Sequence, residues 1–182
     1  ASDWCSCRPA LRQSGRRLCA DLRHRPRPGA FELETPGPLQ GTPGPDILFG
    51  GDGDDNLTGG AGIDSFNGGN GIDRVQYQSS PVGLRVDLQN PGTNTGDAAG
   101  ETYVLIEDIV ASSGGESLFG NASANKLFGF DGADRVFGRA GNDTLFGGDG
   151  NDTLFGGDGN DIINGGADND ILVGGQDVDT FR

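Results

Sequence analysis

Apolar residues recur along this chain with a period of nine. Leu48, Leu57, Phe66 and Val75 stand nine apart, and so do Leu127, Val136, Leu145, Leu154, Ile163, Leu172 and Phe181. Two places before each lies an aspartate: Asp46, Asp55, Asp64 and Asp73 in residues 41–76, and Asp134, Asp143, Asp152, Asp161, Asp170 and Asp179 in residues 120–182. The one exception is Asn125, ahead of Leu127. Glycine fills positions 1, 2 and 4 of the clearest units, GGDGNDTLF (147–155) and GGDGNDIIN (156–164). A helix does not explain this, because nine residues are two and a half turns and would alternate the apolar side chains between faces. A disordered acidic tract has no reason to keep such a period. The pattern predicts a turn of about six residues followed by a three-residue strand whose middle side chain points inward. Glycines let the turn adopt positive φ and close backbone approach. Two units then make one 18-residue coil, and stacked coils build two parallel sheets around a thin aliphatic core.

Residues 77–119 interrupt the period. Val82, Leu84, Val86 and Leu88 alternate with Gly83, Arg85 and Asp87, which predicts a half-buried strand, and Asn90, Pro91 and Gly92 read as a turn. Ile106, Ile109 and Leu118 return towards the frame, with Glu107 and Glu116 at sixth-position spacing. The segment reads as a larger coil that continues the core between two calcium-poor turns, the alternative being an inserted flexible loop. Position 9 is often phenylalanine (Phe49, Phe119, Phe128, Phe137, Phe146, Phe155), facing outward. Phe119, Phe137 and Phe155 are expected to stack on one face, and Phe128 and Phe146 on the other. Such ladders either stabilise the sheets or form a docking surface.

Composition sharpens the picture. The chain has 182 residues, 35 of them glycine, with 27 acids against 13 bases and a net charge of −14. Residues 1–40 hold seven arginines and four acids, hence +3, so residues 41–182 carry −17. The same segment holds Trp4, Cys5, Cys7, Cys19 and His24, the chain's only tryptophan, cysteines and histidine. It reads as a basic, disordered leader and linker; its cysteine spacing does not match a zinc site, and its arginines are open to an anionic partner. No apolar run approaches the roughly 18 residues of a membrane span. The acidic body argues against nucleic acid as a partner. No HExxH or GxSxG motif is present, so the residues point to no enzyme.

One carboxylate per turn, stacked at the strand spacing of roughly 4.8 Å, is a column of like charge. A cation between the carboxylates removes that repulsion. Aspartate oxygens and backbone carbonyls, with neither sulfur nor imidazole, select Ca²⁺. The alternative reading is turn-forming aspartate without an ion. The repeat resembles that of the RTX, or hemolysin-type, calcium-binding family, whose nonapeptide is GGxGxDxUx. The resemblance covers both arrays, residues 41–76 and 120–182, and implies an all-β, right-handed parallel β-roll.

It also implies where ions lie. Each would sit between turns one coil apart, held by both aspartates, by carbonyls 2 and 4 of the earlier turn and by carbonyls 1 and 3 of the later one. Asp134 and Asp152 would thus be joined by Phe130, Gly132, Gly147 and Asp149. Asp143 and Asp161 would have Arg139, Gly141, Gly156 and Asp158. Asp152 and Asp170 would have Gly148, Gly150, Gly165 and Ala167. Asp161 and Asp179 would have Gly157, Gly159, Gly174 and Gln176. In the first array Asp55 pairs with Asp73, using Gly51, Gly53, Gly68 and Asn70, and Asp46 pairs with Asp64. About six ions follow from these pairs. The unit beginning at Gly120 is expected to be degenerate, since Asn121, Ala122 and Ser123 replace glycines and Asn125 the aspartate. Asp168 and Asp177 replace glycine at position 4 of the last turns.

The family implies a secreted bacterial protein that passes a type I secretion apparatus and folds on Ca²⁺ outside the cell. The alternative is a C-terminal module of a larger secreted protease, lipase or adhesin whose active part lies upstream.

Overall fold

The apolar period becomes a stack of coils. The computed structural model describes residues 36–80 and 83–182, together with the backbone of strands Arg12–Gln13, Arg16–Ala20 and Pro26–Leu33. The readings placed on Trp4, Cys5, Cys7, His24 and Val82 lie outside the described residues, as does the side chain of Cys19. Along one face run eight strands in order: Pro38–Gln40, Asn56–Thr58, Arg74–Gln76, Asp108–Val110, Lys126–Asp131, Thr144–Asp149, Ile162–Ala167 and Thr180–Phe181. All their pairings are parallel. The opposite face carries Ile47–Asp52, Ser65–Asn70 and Thr102–Val104 in one sheet, and Arg85–Asp87, Ser117–Phe119, Arg135–Ala140, Thr153–Asp158 and Ile171–Gln176 in another. Pro26–Leu33 runs parallel to Ile47–Asp52. The fold is therefore an all-β parallel β-roll. Among the described residues no helix is long and apolar enough to cross a membrane.

Every eighth-position residue from Leu48 to Ile163 is buried, and Ile109, Leu118 and Leu39 join the same core. Leu39 sits in a strand paired with Asn56–Thr58, so the stack extends upstream of Gly41. At the far end Leu172 is only partly buried and Phe181 is exposed. In the regular units the strands are six residues long rather than three. They run on through positions 1 to 3 of the next unit, with Gly148 pairing with Gly166 and Asp149 with Ala167. Glycines at the corner let the backbone bend while it keeps its ladder hydrogen bonds, so the free turn shrinks to positions 4 to 6.

The interruption is a coil of 34 residues on the first face, where Arg74–Gln76 pairs with Asp108–Val110. Arg85–Asp87 steps ahead on the second face to pair with Ser117–Phe119. The chain then returns through two short 3-10 turns, Pro91–Thr93 and Gly96–Ala98, and lays Thr102–Val104 against Ser65–Asn67. Leu84, Val86, Leu88, Ala98 and Ile106 fill the core at this level, so the segment continues the solenoid. Arg139 holds the returning loop: its guanidinium makes a two-pronged pair with Asp87, with both contacts at 2.8 Å. The outward phenylalanines stack as expected. Phe119, Phe137 and Phe155 form one ladder with centroids 4.7 and 5.0 Å apart, and Phe128 and Phe146 form the other at 4.8 Å. The Arg85 guanidinium covers the Phe119 ring at 3.8 Å.

Candidate metal centres

Each sixth-position aspartate ends a turn at the mouth of a strand, and its two carboxylate oxygens have different fates. Oδ1 accepts the backbone N–H of the aspartate one coil earlier. Asp46 donates to Asp64 at 2.8 Å, Asp55 to Asp73 at 2.9 Å, Asp134 to Asp152 and Asp143 to Asp161 at 2.8 Å, and Asp152 to Asp170 and Asp161 to Asp179 at 3.0 Å. Oδ2 is buried without any hydrogen-bond partner in Asp55, Asp64, Asp73, Asp134, Asp143, Asp152 and Asp161. A buried anionic oxygen left unpaired is expensive, because it loses water and gains nothing in return. Burial accordingly pushes Asp73 up to about 6 and Asp143 up to about 7. It raises Asp55, Asp64, Asp134, Asp152 and Asp161 as well; a neighbouring carboxylate of the column adds to the rise in Asp64, Asp134, Asp152 and Asp161, and the adjacent Asp54 does so in Asp55.

Carbonyls close in on the same gap. A Cβ placed on Gly147 would run into Asp152 Oδ2 and into the carbonyl of Gly165, one coil on. The corresponding space at Gly129 is bounded by Asp134 Oδ2 and the Gly147 carbonyl, at Gly138 by Asp143 Oδ2 and the Gly156 carbonyl, and at Gly156 by Asp161 Oδ2 and the Gly174 carbonyl. In the first array the space at Gly50 is bounded by Asp55 Oδ2 and the Gly68 carbonyl, and at Gly41 by Asp46 Oδ2 and the Gly59 carbonyl. Carbonyls at position 2 point up from the earlier turn: Phe130 beneath Gly148, Arg139 beneath Gly157, Gly51 beneath Gly69, Gly148 beneath Gly166 and Gly157 beneath Gly175. So do those at position 4, Gly132 beneath Gly150, Gly141 beneath Gly159 and Gly53 beneath Gly71. Position-3 carbonyls point down from the later turn and accept the earlier turn's amide: Gly132 to Asp149 at 2.8 Å, Gly141 to Asp158 at 2.9 Å, Gly53 to Asn70 at 2.6 Å and Gly150 to Ala167 at 3.4 Å. Gln176 reaches the earlier coil by its side chain, donating to Asp158 at 3.3 Å.

Paired aspartates thus lie one coil apart, joined by the amide of one and the carboxylate of the other, and the carbonyls just named border the same levels. Among the described residues no three His, Cys, Asp or Glu side chains converge. A cation here would be held by oxygen alone, which suits Ca²⁺ rather than zinc. The orphaned carboxylate oxygens are the observation that fits such an ion.

Two levels differ. Asn125 satisfies itself: its Oδ1 accepts the Asn121 amide at 2.8 Å and its Nδ2 donates to the Glu107 carbonyl at 2.6 Å. The Arg139 guanidinium donates to the Gly120 carbonyl beside it at 2.6 Å. Hydrogen-bond donors thus occupy these oxygens at this level. Asp46 is partly satisfied by the Thr42 amide, at 2.6 Å from its Oδ2. The glycine-poor turns also carry strain. Phe130 and Arg139 at position 2, and Asp168 and Asp177 at position 4, all have φ between 74 and 85°. An L side chain rarely adopts that conformation.

The interruption keeps the sixth-position acid, but as glutamate. Glu107 accepts the Asp73 amide at 2.9 Å, and Glu116 donates its amide to Asp134 at 2.7 Å. Glu101 stands one coil after Asp64, since the Thr102 amide donates to the Asp64 carbonyl as the Ser65 amide does to Asp46. Its carboxylate is turned aside and accepts the hydroxyls of Tyr77 and Tyr103, the latter at 2.9 Å. Burial pushes it up to about 7. An acid two places before an apolar residue (E-T-Y, E-D-I, E-S-L) is the signal for all three. Glu101 escapes notice because it stands 37 residues after Asp64, one residue out of the nine-residue count.

The family model of the RTX calcium-binding nonapeptide repeat matches this chain over residues 40–75, 110–145 and 146–181. No curated protein matches it.

Proposed function

This chain belongs to the RTX calcium-binding repeat family, and we propose that its β-roll is a folding module of a secreted bacterial protein, loaded with about six Ca²⁺ ions outside the cell. The observation that carries the reading is the column of buried aspartates, each with one oxygen fixed on the coil before it and the other unpartnered. Without a cation, seven such oxygens oppose the fold by desolvation and by mutual repulsion. In calcium-poor cytoplasm the −17 body therefore stays unfolded and fit for passage through a type I secretion apparatus. At the millimolar calcium outside, ions that bind only the folded coils stabilise it by linkage. The residues of the pairs Asp46–Asp64, Asp55–Asp73, Asp134–Asp152, Asp143–Asp161, Asp152–Asp170 and Asp161–Asp179 hold the ions. The module's work is binding and folding, not catalysis.

Circular dichroism of the calcium-free chain, titrated with Ca²⁺ to several millimolar, tests this. A cooperative gain of β signal with Ca²⁺ and little with Mg²⁺ is expected, since Mg²⁺ demands a tight octahedron and keeps its waters. No gain, or an equal gain with Mg²⁺, refutes it.

A further inference from the structure

We propose a further cation site, between Glu116 and Asp134, where the second array meets the interrupting coil. It rests on the reading that the turns bind calcium; the family match over residues 110–145 spans this level, but the turn departs from the consensus. The turn before Glu116 reads Ala111, Ser112, Ser113, Gly114, Gly115, with neither paired glycines at its start nor an aspartate, so the nine-residue pattern assigns no ion here.

The geometry nonetheless repeats that of the aspartate levels. The Glu116 amide donates to Asp134 Oδ1 at 2.7 Å, as Asp134 in turn donates to Asp152 at 2.8 Å. Both side chains are sealed from water, each residue being 1% exposed. Glu116 Oε1 is occupied by the Ser112 hydroxyl at 2.7 Å and the Gly114 amide at 3.1 Å. Glu116 Oε2 and Asp134 Oδ2 have no partner at all. Among the described residues the ion pairs go to Asp108 and Asp87, and none engages either carboxylate. Two buried anions held against each other, each with a spare oxygen, cannot both stay ionised cheaply, and a divalent cation between them removes that cost.

The backbone completes the set. The Gly114 carbonyl, at position 4 of its turn, points up beneath Gly132, as Gly132 does beneath Gly150. The extra methylene of glutamate lets its carboxylate reach the gap from a turn that is anchored to its own Ser112. Carboxylate and carbonyl oxygens with no nitrogen or sulfur fit Ca²⁺. The ion would tie the interrupting coil to the second array, because the same turn abuts Gly83 through the Gly115 carbonyl.

The test is the calcium content of the full chain after equilibrium dialysis, with Glu116→Gln as the variant. It is joined by anomalous diffraction from Tb³⁺-soaked crystals of the unaltered chain. One ion fewer in Glu116→Gln, with its melting transition retained, and an anomalous peak between Glu116 and Asp134, are expected. An unchanged ion count with no peak there overturns the site and leaves the pair sharing a proton; this holds through the diffraction arm even where the variant does not fold. A chain that binds no calcium at all overturns the family-wide reading instead, so the two failures are distinct.

Discussion

Replacing Asp143 by asparagine should change sign with calcium. In the folded chain without an ion, Asp143 is held near 7 by burial, against an ordinary value of 3.8. Its folded-state value is the higher, so the fold prefers the protonated form. Ionisation then opposes folding fully above about pH 7, and the penalty fades as pH falls towards 4. At about 1.4 kcal/mol per tenfold change in proton affinity, the gap from 3.8 to about 7 is about 4 kcal/mol, which relaxation and water entry around the ionised carboxylate bring to about 2 kcal/mol. Asparagine keeps an oxygen for the Asn125 amide, now 2.8 Å from Oδ1, but carries no charge. In EGTA near pH 8, with folding driven by trimethylamine oxide, Asp143→Asn should therefore fold more readily by about 2 kcal/mol. Near pH 4 it should match the unaltered chain. In saturating calcium the order reverses, because the variant loses the ion shared with Asp161, and an ion at a hundred times its Kd contributes about 2.7 kcal/mol. Osmolyte titrations followed by circular dichroism at both pH values, and thermal melts with calcium, measure all three. A variant less stable in EGTA near pH 8 refutes the argument.

Other substitutions probe the remaining layers. Gly148→Ala should abolish calcium-induced folding or cost more than about 3 kcal/mol, because φ is 124° and a Cβ would meet the Phe130 carbonyl; Gly92→Ala, with open space around it, should be silent in the same melt. Leu154→Ala removes a fully buried core side chain and should cost about 2–5 kcal/mol by chemical denaturation. Asp168→Gly relieves φ of 76° at a glycine position and should raise the calcium-loaded melting point, by about 1 kcal/mol of stability. Arg139→Ala should lose the Asp87 pair yet keep the strain at φ 85°, so Arg139→Gly should be the more stable of the two in side-by-side melts.

Much of the solenoid is legible in the chain because its period is rigid. One apolar residue in nine can be buried only if the chain turns back on itself every nine residues, and Leu145, Leu154 and Ile163 do this without exception. The aspartates are equally readable, since like charges in register demand either a cation or separation. Strand length was not legible. Position-1 and position-2 glycines signal a turn locally, yet in the fold Gly148 and Gly166 are paired strand residues, because the neighbouring coil supplies their hydrogen-bond partners. The glutamates were half legible. Glu107 and Glu116 keep the spacing, whereas Glu101 is separated from Asp64 by 37 residues and is placed beside it only by the returning loop.

The sequence by itself therefore determined the period, the inward residue, the column of acids and the kind of ion that suits them, for these follow from local spacing and charge. Tertiary structure alone decided which turns face each other across the interruption. The 34-residue coil sends Arg85–Asp87 ahead and Thr102–Val104 back, an exchange that no local rule contains. It also decided the fate of each carboxylate oxygen. Which one meets an amide and which is left unpartnered depends on the coil 18 residues away, and that contact exists only once the stack has formed.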